Sequence, residues 1–386
     1  MKRMAGALLA ALFVVSPAAA RPVLERVVLL ERHGVRSPTR TPDAATADQP
    51  WPVWPVGPGE LTPHGFDGVV RMGEGLRLHY GALLSGPGCF VWGDAADQRT
   101  RESAKALAKG LGAACAARNA EGDSDPLFHA PEAGICPVDA AKAQDALAPR
   151  LDQLMADHAA EYGKARAALR GVLGADIAGD NRVKNGKIEG ALSTASTLTE
   201  DLYLEYAQGM DAPGWGRAAS AARIAAIMPL HNLYTDLGRR TPYLAEQGAS
   251  LLAHQIAAAL SGEAATFQGA APVPAEAKFV ALVGHDTNLS NLSSALGLDW
   301  TLKDQPDATA PATVLAFERW RDGQTRFVRV VLYYQTLDQL RDGARFDAAH
   351  RPRRIALSFP GCSGSRCGLD EVEARLTRIA PACIKP

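Results

Sequence analysis

Val23-Leu24-Glu25-Arg26-Val27-Val28-Leu29-Leu30 runs directly into Glu31-Arg32-His33-Gly34-Val35-Arg36-Ser37-Pro38. The first stretch ends in a continuous apolar run, the pattern of a strand buried on both faces of a sheet. The second stretch ends that run abruptly with charge. Open α/β sheets bind ligands beyond the carboxyl ends of their strands, so the residues from Arg32 to Pro38 occupy the place where chemistry is expected.

The same arrangement recurs late in the chain. Residues 278–284 read as a buried strand that runs into His285-Asp286-Thr287-Asn288, where a helix starts with Thr287 or Asp286 as its cap. A short strand over 89–93 leads through Asp97-Gln98-Arg99-Thr100-Arg101 into a helix over 100–117. A helix over 63–80 has Thr62 as N-cap and Pro63 at its first position. Two further strands, 313–320 and 325–334, flank the hairpin signal Asp322-Gly323. Strand and helix alternate at both ends of the chain, which predicts an α/β fold with a mostly parallel sheet. From 139 to 261 helical periodicity dominates, over 140–173, 191–207, 216–235 and 242–260, with no strand signal. The predicted organisation is an α/β domain built from 21–138 and 262–386, interrupted by a smaller α-helical domain at 139–261.

Composition fits a folded chain of 386 residues: 47% hydrophobic and 22% charged, which excludes disordered, collagenous and coiled-coil classes. Lys plus Arg (41) nearly balances Asp plus Glu (42), so no basic field exists to hold a nucleic acid. Residues 1–20 carry Lys2 and Arg3, an apolar run and Ser16-Pro17-Ala18-Ala19-Ala20, the parts of a secretory leader cleaved after Ala20. That run is too short to cross a bilayer core, which needs about 20 residues. The mature chain is expected in the periplasm or outside the cell, free of the membrane. Six cysteines, Cys89, Cys115, Cys136, Cys362, Cys367 and Cys383, then suggest disulfides rather than a metal site, since no CxxC pair occurs. Spacing alone leaves 15 pairings open; Cys362 with Cys367 would close a small loop.

The residues after the strands point to phosphoryl transfer. A phosphate monoester needs several fixed donors, and arginine's planar fork meets its oxygens two at a time. Arg32, Arg36 and Arg101 are the expected clamp, with Gly34 letting the backbone approach closely. His33 is the candidate nucleophile, because neighbouring positive charge keeps imidazole neutral in acid. Asp286 is the candidate general acid and His285 a further donor to the transferring oxygens.

Arg32-His33-Gly34-Val35-Arg36-Ser37-Pro38-Thr39 and Gly284-His285-Asp286-Thr287-Asn288-Leu289 resemble the motifs of the histidine acid phosphatase family, branch 2, and within it the periplasmic phytases of enteric bacteria. Similar stretches occur at Trp51-Pro52-Val53-Trp54-Pro55-Val56, Leu61-Thr62-Pro63, Gln208-Gly209-Met210, Pro213-Gly214-Trp215-Gly216-Arg217 and Phe317-Glu318-Arg319-Trp320. The resemblance implies a phosphoglycerate mutase-like α/β domain plus a smaller α domain, with the active site between them. It implies a phosphohistidine intermediate at His33, a clamp on Arg32, Arg36, Arg101 and His285, and a proton donor at Asp286, with no metal or organic cofactor. It also implies the pairs Cys89–Cys115, Cys136–Cys383 and Cys362–Cys367, and a monomer. Thr39, Arg40, Glu200 and Thr287 match positions that contact the substrate. Two positions depart from the pattern: Thr197 replaces a methionine, and Gly248 falls where the family carries a basic residue.

The favoured substrate is therefore phytate, inositol hexakisphosphate. The alternatives are a broader sugar-phosphate phosphatase of the glucose-1-phosphatase kind and, in a different class, an exported binding protein for phosphorylated ligands. His64, His79, His129, His158, His254 and His350 are read as surface or hydrogen-bonded histidines. His231 resembles a position lining the cleft, with helix packing as the equal alternative.

Overall fold

The computed structural model describes residues 21–84 and 88–385; the expected leader lies outside them. Among the described residues, strand β1 (Val23–Arg32) is the centre of an eight-stranded sheet. On one side β1 pairs with β6 (Phe279–Gly284), followed by β2 (Cys89–Gly93) and β3 (Ala117–Arg118), all parallel. On the other side lie β7 (Val314–Asp322) and β8 (Thr325–Tyr334), each antiparallel to its neighbour, and β8 also carries β9 (Arg353–Leu357) and β10 (Cys367–Gly368). β1, β2, β3, β6 and β8 thus share one direction. The β7–β8 turn falls at Asp322-Gly323, where Gly323 has a φ of 60°.

Strand β1 is buried on both sides. Val28 and Leu30 enter the core beneath helices α8 (Pro242–Ser261), α9 (Asp286–Ala295) and α11 (Leu369–Thr377). Val27 and Leu29 face α1 (Pro63–Tyr80) and α2 (Gln98–Leu111). A strand sandwiched this way has no solvent face to read as alternation, which explains its unbroken apolar run. Thr62 Oγ1 accepts the Gly65 N–H at the start of α1, as its position before Pro63 predicts.

The segment between the two halves of the sheet holds α3 (Ala140–Asp157), α4 (Ala159–Leu173), α5 (Ala191–Ala207), α6 (Ala221–Ile227) and α7 (Pro229–Arg240), with their own apolar clusters. Helix α10 (Leu337–Asp342) packs against α5. Three details differ from expectation. The long 140–173 helix is broken at His158. Helix α8 packs on the sheet although its sequence belongs to the helical run. A small hairpin, β4 (Arg182–Lys184) and β5 (Lys187–Glu189), interrupts that run. Its turn is Asn185-Gly186, with φ of 51° and 69°, the pair that a two-residue turn with both central residues left-handed requires. The three described disulfides join Cys89–Cys115, Cys136–Cys383 and Cys362–Cys367.

Candidate active site

The carboxyl ends of β1, β2 and β6 open into a cleft of about 490 Å³, walled on the far side by α5 and α7. Strand pairing sets its geometry. The His33 N–H donates to the Gly284 carbonyl and the Asp94 N–H to the Val283 carbonyl, so the residues following three strands arrive at one level. Gly34 is needed for packing here: an added Cβ would lie 2.5 Å from the Gly65 carbonyl oxygen of α1, and the Gly34 N–H donates to Ser103 Oγ. The close approach it permits is to a helix, which corrects the expectation of backbone approach to a ligand.

His33 is 2% exposed, and its Nδ1 lies 2.8 Å from the Gly34 carbonyl oxygen. A carbonyl can only accept, so Nδ1 carries the proton and Nε2 keeps its lone pair. Burial, reinforced by Arg99, Arg32, His285 and Arg36, pushes the imidazole well below its usual pKa. The result is a neutral ring with an available nitrogen under conditions that protonate free histidine.

Arg32 is fully buried and held by Asp307 Oδ2 at 2.8 Å, the Thr309 carbonyl at 2.7 Å and Glu200 Oε1 at 2.7 Å. Arg36 donates to the other Glu200 oxygen at 3.1 Å. Glu200, expected at the substrate's outer phosphates, does line the cleft, but its carboxylate joins the two arginines. Burial would raise its pKa; Arg36, His231 and Arg32 outweigh that and lower it. Thr39, Arg40 and Thr287 also line the cleft.

Arg101 does not reach the cleft: its guanidinium donates to the Ala95 carbonyl. Arg99 lines the cleft instead, held by both oxygens of Asp97 at 2.9 and 2.7 Å. Helix α2 starts at Gln98, not at Thr100 as the sequence suggested, and residues two apart on a helix point to nearly opposite sides. Two residues of error in the boundary therefore exchange the inward arginine for the outward one.

His285, the N-cap of α9, is oriented by Asp94 at 2.7 Å, and the Asn288 side chain closes on the His285 N–H. This replaces the cap expected at Thr287 or Asp286. His129, read as an ordinary histidine, also lines the cleft and approaches the same Asp94 oxygen at 2.8 Å. Burial lowers the His129 pKa, but the bond to Asp94 prevails and raises it; burial leaves His285 lowered despite the same partner. The donor atoms of Asp94, Asp97, His129 and His285 lie within 4.8 Å of one another, as do those of Glu200, His231 and Asp286. Histidine or arginine partners already engage the carboxylates of both groups.

Asp286 sits in the first turn of α9, its Oδ1 accepting the Thr287 N–H at 2.8 Å. Its Oδ2 lies 2.7 Å from Arg239 Nη1 and 3.4 Å from Arg32. Burial would raise this carboxyl, yet Arg239 and Arg32 hold it well below the usual carboxylate range. Arg239, in the last turn of α7, was not singled out from the sequence, where Arg239-Arg240 reads as the basic end of a helix.

A buried neutral imidazole ringed by arginines, with a carboxyl from a neighbouring strand end beside it, is the arrangement of a histidine phosphatase. The sequence profile of the histidine phosphatase superfamily (branch 2) matches residues 23–333, and the chain belongs to that family. It is 36% identical over 383 residues to phytase AppA of Escherichia coli strain K12, covering 88% of this chain and 87% of that protein. The Hafnia alvei phytase in complex with tartrate superposes with a TM-score of 0.87 at 33% identity, covering 96% of this chain and 100% of the other. A glucose-1-phosphatase of Providencia rettgeri is more distant, 27% identical over 387 residues, with 90% and 88% covered.

Proposed function

We propose that the protein is a periplasmic, monomeric phytase that removes phosphate from myo-inositol hexakisphosphate through a phosphohistidine at residue 33. The observation that carries this reading is the His33 ring itself: buried, with its proton directed to the Gly34 carbonyl and its Nε2 free among Arg32, Arg36 and Arg99. Nε2 attacks phosphorus as the bond to the ester oxygen breaks, and that oxygen leaves with the proton of the Asp286 carboxyl. Water then attacks the phosphorus, the P–N bond breaks, and a water proton returns to Asp286. Arg32, Arg36, Arg99 and His285 bind the equatorial oxygens, where charge accumulates. Thr39, Arg40 and Thr287 face the remainder of the substrate. Similarity to the phytases over nearly the whole chain supports the choice of substrate, and the three disulfides are compatible with an oxidising compartment.

The test compares kcat/KM for inositol hexakisphosphate and glucose 1-phosphate in acid. Preference for the hexakisphosphate is expected; preference for glucose 1-phosphate would overturn the substrate assignment. Asp286→Asn should slow β-glycerophosphate, a poor leaving group, about 10²-fold or more beyond its effect on p-nitrophenyl phosphate. Equal losses on both would remove Asp286 from the acid role.

A further inference from the structure

The proton donor in this reaction is held in the wrong state by its surroundings. Asp286 must carry a proton to protonate the leaving oxygen, yet Arg239 lies 2.7 Å from its Oδ2. Besides Arg40, which is exposed, four arginines surround the cleft, and they are not held alike. Arg32 has three acceptors, Arg36 has Glu200 and the Ser37 carbonyl, and Arg99 has both oxygens of Asp97. Among the described residues, Asp286 is the one carboxylate within ion-pair distance of Arg239, at 2.7 Å. The Arg239 side chain keeps 20% of its exposure and lines the cleft. Of these four it is the one that pairs most closely with Asp286 and is open to the cleft.

Its neighbours on the helical wall offer no other cation there. Gly248 is in contact with Asn291, and a Cβ at 248 would lie 2.0 Å from Asn291 Nδ2, so the Asn291 amide occupies the space where the family pattern puts a basic side chain. Thr197 beside it is uncharged.

We propose that Arg239 binds a second phosphate of the substrate, the one on the carbon adjacent to the scissile ester, and that by leaving Asp286 to do so it allows Asp286 to take up its proton. The inference rests on the phosphohistidine reading above and assigns a substrate class to the site: esters with vicinal phosphates. The leaving oxygen and the phosphorus on the adjacent carbon are four covalent bonds apart, so a guanidinium touching the proton donor can reach that phosphate. A lone phosphate in the clamp leaves Arg239 on Asp286 and the donor ionised.

The groups facing Asp286 bear on any change with pH. Arg32 and His33 face it from the end of β1, Arg239 and His231 from α7, Glu200 from α5 and Arg99 from α2. Arg32 stays on its own carboxylates and His33 is neutral, so Arg239 is the cation whose departure changes the balance.

The experiment measures kcat and KM across pH for Arg239→Gln and Arg239→Lys with two substrates, inositol hexakisphosphate and β-glycerophosphate. Removing a cation within about 4 Å raises a carboxyl pKa by one unit or more. In Arg239→Gln the alkaline limb of kcat for β-glycerophosphate should therefore move up by about one pH unit, while that for the hexakisphosphate stays closer to the native limb. KM for the hexakisphosphate should rise about tenfold, the loss of one charge-assisted contact, and KM for β-glycerophosphate much less. Arg239→Lys, keeping the charge, should restore the native limb. An unmoved glycerophosphate limb, or equal KM increases on both substrates, overturns the proposal. Acid-quenched native enzyme separates the two levels: label on His33 with an unmoved limb rejects the role of Arg239 alone, whereas absence of label rejects the underlying mechanism and this role with it.

Discussion

The two walls of the cleft are built differently. The sheet wall carries Arg32, His33, Arg36, His285 and Asp286 within a few residues of two strand ends, held by backbone bonds between β1 and β6. The helical wall contributes isolated side chains, Thr197 and Glu200 from α5, Arg239 from α7 and Gly248 from α8, spaced by helix geometry and facing the cleft one at a time. Rigid, contiguous groups suit bond-making, which tolerates little displacement. Separate side chains on helices can change without disturbing that frame, and here Thr197 and Gly248 depart from the family pattern. Substitutions of the sheet-wall groups that hold or attack the phosphoryl group should lower kcat for every ester, Asp286 being sensitive to the leaving group, whereas those in the helical wall should change the ratio between esters of different bulk and charge.

The strongest test of that contrast is His33→Ala. Loss of about 10⁴-fold or more in kcat is expected with every substrate, because the nucleophile has no substitute; retained turnover, or label on another residue, would break the comparison at its root. Next comes Arg99→Ala, for which a fall of about 10²- to 10³-fold is expected from loss of one fixed donor to the transferring group. Arg101→Ala should stay within about threefold of native activity, since its guanidinium only braces the Ala95 carbonyl. The reverse order of effects would return the clamp to Arg101.

The smallest effect concerns stability. Glu31 is fully buried beside Arg32 in sequence, and neither carboxylate oxygen has a hydrogen-bond partner among the described residues. Burial raises its pKa well above the usual range. The folded protein therefore keeps this proton to higher pH than the unfolded chain does. Its contribution to stability is present below the unfolded pKa of about 4.3 and is lost as pH rises toward the folded value. Glu31→Met should raise Tm by a few degrees at about pH 7.5 and by less at about pH 4. A Tm difference independent of pH would show that the carboxyl finds a partner.

The sheet wall was legible because its candidate residues are contiguous: two neighbouring strands end in them, and the apolar runs of β1 and β6 mark where to look. Arg99 was missed by a helical register error, since Arg99-Thr100-Arg101 offers two arginines and the start of α2 decides between them. His129 meets the site through Asp94, 35 residues earlier in the chain, and by its ring edge against His285, and it lies in a connection without periodicity. Arg239 looks like any cation at the end of a helix until the fold sets it on Asp286. The Asn185-Gly186 turn did carry a signal for the β4–β5 hairpin, hidden by strands of three residues too short to alternate.

The adjacency of β1 and β6 has a consequence during biosynthesis. His33 leaves the ribosome early and Asp286 late, and at about 5 to 20 residues per second tens of seconds pass between them. Throughout that interval the nascent polypeptide has the proposed nucleophile without the proposed proton donor, and β1 lacks both of its neighbours in the finished sheet. Turnover of phosphate esters should therefore begin only once β6 has paired with β1.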